Sequence, residues 1–321
     1  MQTQVRSQSV KDQHYVPRFY LRKFANTANA VEVLDCKRQA IIAPRGVGGV
    51  CKDKYYYGAR TGYSDELSQE VESGFQQMES NVASVLDTII PKLLGNGHFP
   101  DDDKWAIALL MSMIWMRGPI MRDQINRMQE QAFKHILAFK FNSPSSDRWF
   151  DEIDRESGVG MSKETRRRVR EALRKKEYNL EFDNLQHMGM FESIPKFANL
   201  FWAQDWVVYI SRAAAKFVTS DNPVGMHIPE TNSVYGPTFL QRTHYFSLTP
   251  DICIQARYPD KRSEKKIRRK NLFRGDEFEV LSLNGMVASR AHHYVYANNR
   301  QDLQNILTAI KILRENRRRP K

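Results

Sequence analysis

The sequence predicts an α+β fold: a small antiparallel β-sheet body with a large all-helical insertion and a C-terminal helix. Three observations carry that expectation. Runs of β-branched and aliphatic residues broken by polar turns lie near both ends of the chain; residues 65–204 repeat apolar side chains only at spacings of three and four; and Leu303, Ile306, Leu307, Ile310 and Leu313 form one closing stripe. The expected organisation is a discontinuous strand-bearing body, residues 1–64 with 205–321, that holds a helical domain at 65–204.

Taken in order, Pro17 suits the first position of a helix, where its missing N–H is not needed, so Arg18–Phe24 should be a short helix with His14 just ahead of it. On that helix Tyr20, Leu21 and Phe24 share an apolar face, while Arg18 and Arg22 share another edge. Val31–Asp35 and Ala40–Ala43 read as a hairpin around Cys36–Gln39, and Lys54–Tyr57 as a further strand. Val71, Phe75, Met78, Val82, Val85, Leu86 and Ile89 mark a helix from Asp65 to about Leu94. Pro100 and three aspartates open a longer one, with a break at Gly118-Pro119. Residues 142–160, rich in Ser, Asp and Gly, read as a loop before a basic helix at Ser162–Glu177, and Asn184–Gln204 as a helix kinked at Pro195. Trp206–Ile210 and Lys216–Thr219 read as paired strands, Tyr245–Leu248 and Ile252–Ala256 as a second pair, and His292–Ala297 as one more; residues 263–271 read as a very basic helix or loop. Asn298 or Asn299 caps the last helix.

Composition narrows the classes of function. Cys36, Cys51 and Cys253 are odd in number and form no close pair, which fits a reducing cytoplasm and not a disulfide framework. The longest apolar stretch, Ile107–Met116, falls well short of the roughly 20 residues of a membrane span, and the N-terminus lacks an apolar signal core. A cytoplasmic protein without a membrane partner is expected. The net charge of +12 is uneven. Residues 163–176 carry +6, 261–274 carry +7 and 314–321 carry +4, so the rest of the chain is net acidic. Local basicity of this kind suits a polyanion, so nucleic acid, RNA in particular, is the expected partner. Arg18, Arg22, Arg166, Arg167, Arg170, Lys265, Lys266, Arg268 and Arg269 are the residues expected to meet phosphates.

Candidate chemistry sits in three places. His14 has the side chain for proton transfer near neutral pH, with Arg18 or Arg22 able to hold a phosphate by a forked contact. Ser220-Asp221-Asn222-Pro223 follows a strand, where short polar side chains often build sites, although Asp and Asn before proline also make turns by bonding their own backbone. Arg117 and Arg122 flank the Gly118-Pro119 break, where an arginine is either neutralised inside or faces a ligand. Histidine and cysteine spacing gives no metal signature. Asp35-Cys36-Lys37 supplies half of a metal-nuclease pattern that would need a carboxylate such as Asp221 from another strand. Arg45-Gly46-Val47-Gly48-Gly49 lacks the third glycine of a dinucleotide loop and the GK[ST] of a P-loop.

The opening box Gln13–Ala25, QHYVPRFYLRKFA, resembles the start of a large bacterial family known as a domain of unknown function, with the signature H-[HY]-V-P-x-F-Y-L-x-x-F. Three later stretches are similar to the same family: Trp115–Pro119 with Arg122, Phe217–Val224 containing T-S-D-N-P-V, and Phe246–Pro250. The resemblance implies a loose association with bacterial defence and toxin-like genes. It implies no mechanism.

Residues and resemblance together lead to an enzyme acting on nucleic acid, a phosphodiesterase or ribonuclease. His14 would be acid or base, Asp221 and Asn222 would orient it, Arg117 or Arg18 would stabilise phosphate charge, and Ser220 is a further candidate catalytic residue. The rival is a non-catalytic nucleic-acid-binding or defence-complex subunit, in which the basic segments grip phosphates and the polar residues only shape the fold.

Overall fold

The opening box is the seam of the fold. Tyr20 is fully buried on the first helix, stacks on Phe246 at 5.3 Å, and packs against Phe24. Its hydroxyl bonds Thr219 Oγ1 at 2.7 Å and donates to the Ser247 carbonyl at 2.6 Å. Thr219 and Ser247 lie in two different sheets, so one side chain ties both to the chain's start.

The computed structural model describes residues 12–57, 59–60, 67–68, 70–95, 100–143, 145–180, 186–227, 239–257 and 271–318. In chain order the first elements are β1 (Asp12–His14), α1 (Arg18–Leu21, continued by a 3₁₀ turn at Arg22–Phe24), β2 (Ala30–Asp35), β3 (Ala40–Gly46), β4 (Lys52–Lys54), β5 (Ala59–Arg60) and β6 (Leu67–Ser68). Helices α2 (Glu70–Gly95), α3 (Asp101–Arg117), α4 (Pro119–Asn142), α5 (Ser146–Ser157), α6 (Lys163–Lys175) and α7 (Gln186–Trp202) follow. The remainder is β7 (Asp205–Ser211), β8 (Thr219–Ser220), β9 (Val224–His227), β10 (Thr243–Thr249), β11 (Ile252–Arg257), β12 (Asn271–Gly275), α8 (Glu277–Ala288), β13 (Tyr294–Ala297) and α9 (Arg300–Arg318). The fold is α+β, as the sequence predicts.

The chain forms two compact units, residues 1–120 with 184–321, and residues 121–183. In the first, a sheet ordered β12-β7-β11-β10-β9 is antiparallel except for β12 on β7. A second sheet, β3-β2-β13-β8, is antiparallel, and β1 pairs with β4 in a two-stranded ribbon. Leu34, Phe217, Tyr245, Val280, Val287, Val295, Leu303 and Ile306 meet in one core between sheets and helices α8 and α9. Helix α3 is buried nearly all round, as its mixed apolar sequence requires, and Ser112 Oγ donates to the Ile194 carbonyl of α7 at 2.7 Å.

The second unit is helical. Phe141 of α4 packs on Phe150 of α5, and α6 lies over them through Arg166 and Arg170, whose guanidinium groups sit 5.5 and 5.0 Å from the Phe150 ring.

Several sequence expectations need correction. Residues 146–157 form a helix and not a loop; its polar face hides a buried Phe150, and Gly158 at φ 69° supplies the left-handed stop. Lys216–Thr219 does not pair with Trp206–Ile210. Its backbone N–H groups are taken by Asp302, the Pro250 carbonyl and Asn284, and only Thr219-Ser220 joins a sheet, against β13. The strand expected at Lys54–Tyr57 is instead Lys52–Lys54, paired with β1. Helix α8 was not foreseen, although Asp276 and Glu279 form a full capping box at its start.

Tyr20→Phe leaves a buried hydroxyl and a buried carbonyl without their partner, a cost of about 1–3 kcal/mol. Thermal denaturation should show Tm lower by several degrees with the fold otherwise retained.

Candidate functional site

The four stretches that resemble the family come together around the opening box. Arg117 donates from Nη2 to the His14 carbonyl, Asn222 Oδ1 lies 3.3 Å from where a Cβ on Gly118 would stand, and Tyr20 holds the Phe246-Ser247 stretch. A side chain at Gly118 would have to push Asn222 aside by a few tenths of an ångström: helix α3 ends there with extended backbone, Pro119 starts α4, and Asn222 lies against the turn.

Arg117 is 3% exposed and fully engaged. Beyond the His14 carbonyl it donates to Tyr57 Oη at 2.8 Å and pairs with Glu79, and its guanidinium lies 4.3 Å from the centre of the Phe75 ring. The Tyr56 hydroxyl in turn donates to the Arg117 carbonyl. Of the two roles open to it, this is neutralisation inside.

Asp221 is equally committed. At 1% exposure its carboxylate accepts the backbone N–H groups of His292, His293 and Tyr294 at 2.7, 2.7 and 3.0 Å. Burial pushes its carboxyl above the usual range, against those three donors, which favour the ionised form. Asn222 Nδ2 donates to the Arg290 carbonyl at 2.8 Å, and Ser220 Oγ accepts from Asn222 N–H. Asp221 and Asn222 therefore clamp the turn at 290–294, while Ser220 braces its own turn. No hydrogen bond joins Asp221 to His14 among the described residues.

His14 differs from them. Its imidazole is half-buried, with the Gly48 backbone acting on it to favour the charged form, while Nε2 is buried with no hydrogen-bond partner among the described residues. Burial, with the charges of Arg18 and Lys52, holds the imidazole neutral and lowers its pKa to about 4. Arg18 is exposed at the start of α1, and its Nη2 sits 3.6 Å from the Cβ position of Gly48. Among the described residues it has no carboxylate partner. Arg22 is exposed one turn on. The exposed Arg18 and the neutral His14 thus stand on either side of one glycine turn.

The other expected groups lie elsewhere. Arg166 pairs with Asp151 and Asp154, Arg167 and Arg168 with Glu164, and Arg170 with Asp147, so α6 is largely neutralised by acids of α5 and of its own first turn. Lys265, Lys266, Arg268 and Arg269 fall outside the described residues. Burial raises the Cys36 thiol to about 11 and the Cys253 thiol to about 12, so neither offers a thiolate. Asp35 caps its hairpin turn by accepting from Arg38 N–H at 2.8 Å, and no cluster of three potential metal ligands occurs among the described residues. No helix among them is long and apolar enough to cross a membrane. Gly48, Lys52, Tyr57 and Glu79 were missed as site residues; the glycine run Gly46–Gly49 was the available signal, since a bare backbone beside a box rich in cations admits close approach.

Fold and site define an α+β protein whose opening box carries one neutral histidine next to an exposed arginine. The chain belongs to the family described as proteins of unknown function (DUF4238), which it matches over residues 12–301. No curated protein and no solved structure matches it.

Two predictions follow from the clamp and the histidines. Asp221→Asn replaces an acceptor of three N–H groups by an amide that turns a donor toward them, at a cost of about 2–4 kcal/mol; a Tm lower by roughly 5–10 °C should be measured. His14 and the buried His244, whose pKa burial lowers to about 3, are both depressed in the fold. Their stabilising contribution is complete above the unfolded value near 6.5 and is lost as pH falls from there toward 4. Denaturation at several pH values should show stability falling over that window, with proton uptake on unfolding that diminishes in a His14→Ala variant.

Proposed function

We propose that the protein is a nucleic-acid-acting phosphodiesterase, most simply a ribonuclease, with His14 as general base and Arg18 as the phosphate-holding cation. The observation that carries this reading is the unpartnered Nε2 of His14, neutral at physiological pH and near the exposed cation of Arg18. In RNA, Nε2 takes the proton of the 2′-hydroxyl as that oxygen attacks the adjacent phosphorus; the 5′-oxygen leaves and is protonated by solvent, giving a 2′,3′-cyclic phosphate. Arg18 offsets charge on the phosphate oxygens. Arg117, Asp221 and Asn222 act at one remove, by fixing the box and the turn around it. A cytoplasmic setting in bacterial defence accords with this chemistry.

A second reading has one observation in its favour. Arg117 and Asp221 are both consumed by the fold, so the site rests on fewer reacting groups than the sequence offered, as a non-catalytic nucleic-acid-binding subunit would allow.

The test is cleavage of single-stranded RNA against a 2′-deoxy analogue. His14→Ala should lower kcat/KM by about 10²–10⁴-fold, and Arg18→Ala should raise KM and weaken the salt dependence of binding. Both should keep the wild-type Tm within a few degrees. As the base is already deprotonated above about pH 5, kcat/KM should be flat with respect to it from pH 6 to 8. RNA bound with wild-type affinity but never cleaved would favour the subunit reading; no binding at any salt concentration would remove nucleic acid.

A further inference from the structure

The clamp made by Asp221 and Asn222 holds a run of rings whose side chains the reading above leaves unused. Asp221 accepts the backbone N–H groups of His292, His293 and Tyr294, Asn222 Nδ2 donates to the Arg290 carbonyl, and Cys36 N–H donates to the His293 carbonyl at 2.9 Å. A backbone pinned at so many points fixes where its side chains start, which lowers the ordering cost of binding a ligand on them. The rings of His292 and His293 lie 3.9 Å apart, the His293 ring lies 6.2 Å from that of Tyr294, and the Arg45 guanidinium sits 5.5 Å from the centre of the Tyr294 ring. His293 and Arg45 are exposed and Tyr294 is half-buried, so the run forms part of the surface.

Charge around these rings is unbalanced. The two carboxylates of β2, Glu32 and Asp35, pair with Arg300 and Arg38. Arg45, Arg290 and the exposed Lys37 next to Cys36 have no carboxylate partner among the described residues. Rings bordered by such cations suit a ligand that is flat and anionic at once. The surface is also continuous with the candidate site. Arg45 runs directly into the Gly46–Gly49 turn, and Arg18 Nη2 lies 3.6 Å from the Cβ position of Gly48 in that turn. The three steps from residue 45 to residue 48 span at most about 11 Å, so the rings and the phosphate-holding arginine border one stretch of surface.

We propose that His293, Tyr294 and Arg45 form a nucleobase subsite, on which an unpaired base of single-stranded RNA stacks while a neighbouring phosphate reaches Arg18. The inference rests on the ribonuclease reading of His14 and adds to it a preference for single strands. Within a duplex the faces of each base are covered by its neighbours, so only an unpaired base can offer a face to the rings. Every base has such a face, so the subsite selects unpaired over paired bases and not one sequence over another. Asp221 then serves the substrate at one remove, by holding the backbone that carries both rings.

The test is fluorescence anisotropy with a single-stranded 2′-deoxy oligonucleotide, which lacks the attacking hydroxyl, and with the same chain made abasic. The wild type should bind the base-bearing chain about 5–100-fold more tightly, the worth of one stacked base. His293→Ala and Tyr294→Leu should erase that difference and raise KM on RNA without changing the slope of log affinity against log salt, whereas Arg45→Gln should also reduce the slope. Tyr294→Phe keeps the ring and should retain the difference. An oligonucleotide carrying 5-iodouracil should photo-cross-link within residues 292–294. Equal wild-type affinity for the two chains, or a full difference that persists in both His293→Ala and Tyr294→Leu, overturns the subsite; cleavage of RNA that still depends on His14 would confine the failure to it. A wild type that neither binds nor cleaves any oligonucleotide overturns the ribonuclease reading and the subsite together. Should Tyr294→Leu unfold, the exposed His293→Ala and the cross-link decide.

Discussion

The interaction on which the site depends is the burial of the Arg117 guanidinium. A charge taken out of water costs several kcal/mol unless it is paired and its hydrogen-bonding groups are met, and here Glu79, Tyr57 and the His14 carbonyl meet them together. Those partners come from α2, from the residues after β4, and from β1. None can move away without stranding the charge, so the ribbon that carries His14 is fixed to the helical layer even though it is only two strands wide. The same residue explains the end of α3. Its side chain is committed inward, the next residue is the glycine against which Asn222 packs, and the residue after that is a proline that can only begin a new helix.

Elements whose apolar periodicity runs long were legible in the sequence: α2, α3 and α9 by spacing, the β2–β3 and β10–β11 hairpins by alternation across a polar turn. Elements whose stability comes from tertiary partners were not. Lys216–Val218 looks like a strand because its residues favour extended backbone, yet its N–H groups bond Asp302, the Pro250 carbonyl and Asn284, which lie tens of residues away in the sequence. Helix α5 was hidden by a composition of Ser and Asp that ordinarily marks loops. That one misreading propagated: without α5 the acids Asp147, Asp151 and Asp154 had no place, and the arginines of α6 looked like a free cationic face.

The site divides in the same way. His14 and Arg18 were legible as a pair because both lie within five residues of one short helix, where local geometry is set by Pro17 and by helical spacing. The work of Asp221 was not, since its three donors are backbone N–H groups some seventy residues later, and a backbone N–H leaves no trace in a sequence. A polar triplet after a strand has the same appearance whether it faces a cleft or clamps a turn.

His14, like Ser247 and the more distant His244, carries a buried polar atom that the fold leaves unmet. Arg117, Asp221, Asn222 and Tyr20 each have their polar atoms met by the fold, whereas Nε2 of His14 is buried and bare. An unmet buried acceptor costs about 1–3 kcal/mol, and a fold that merely needed a side chain there could have used one with no second polar atom. Protonation does not relieve the deficit either, because Arg18 and Lys52 oppose a third positive charge and burial opposes any charge at all. The group best able to satisfy a neutral acceptor held among cations is a hydroxyl carried by an anion, which brings the donor that Nε2 lacks and the charge that Arg18 attracts. The free hydroxyl next to a phosphate in RNA combines the two.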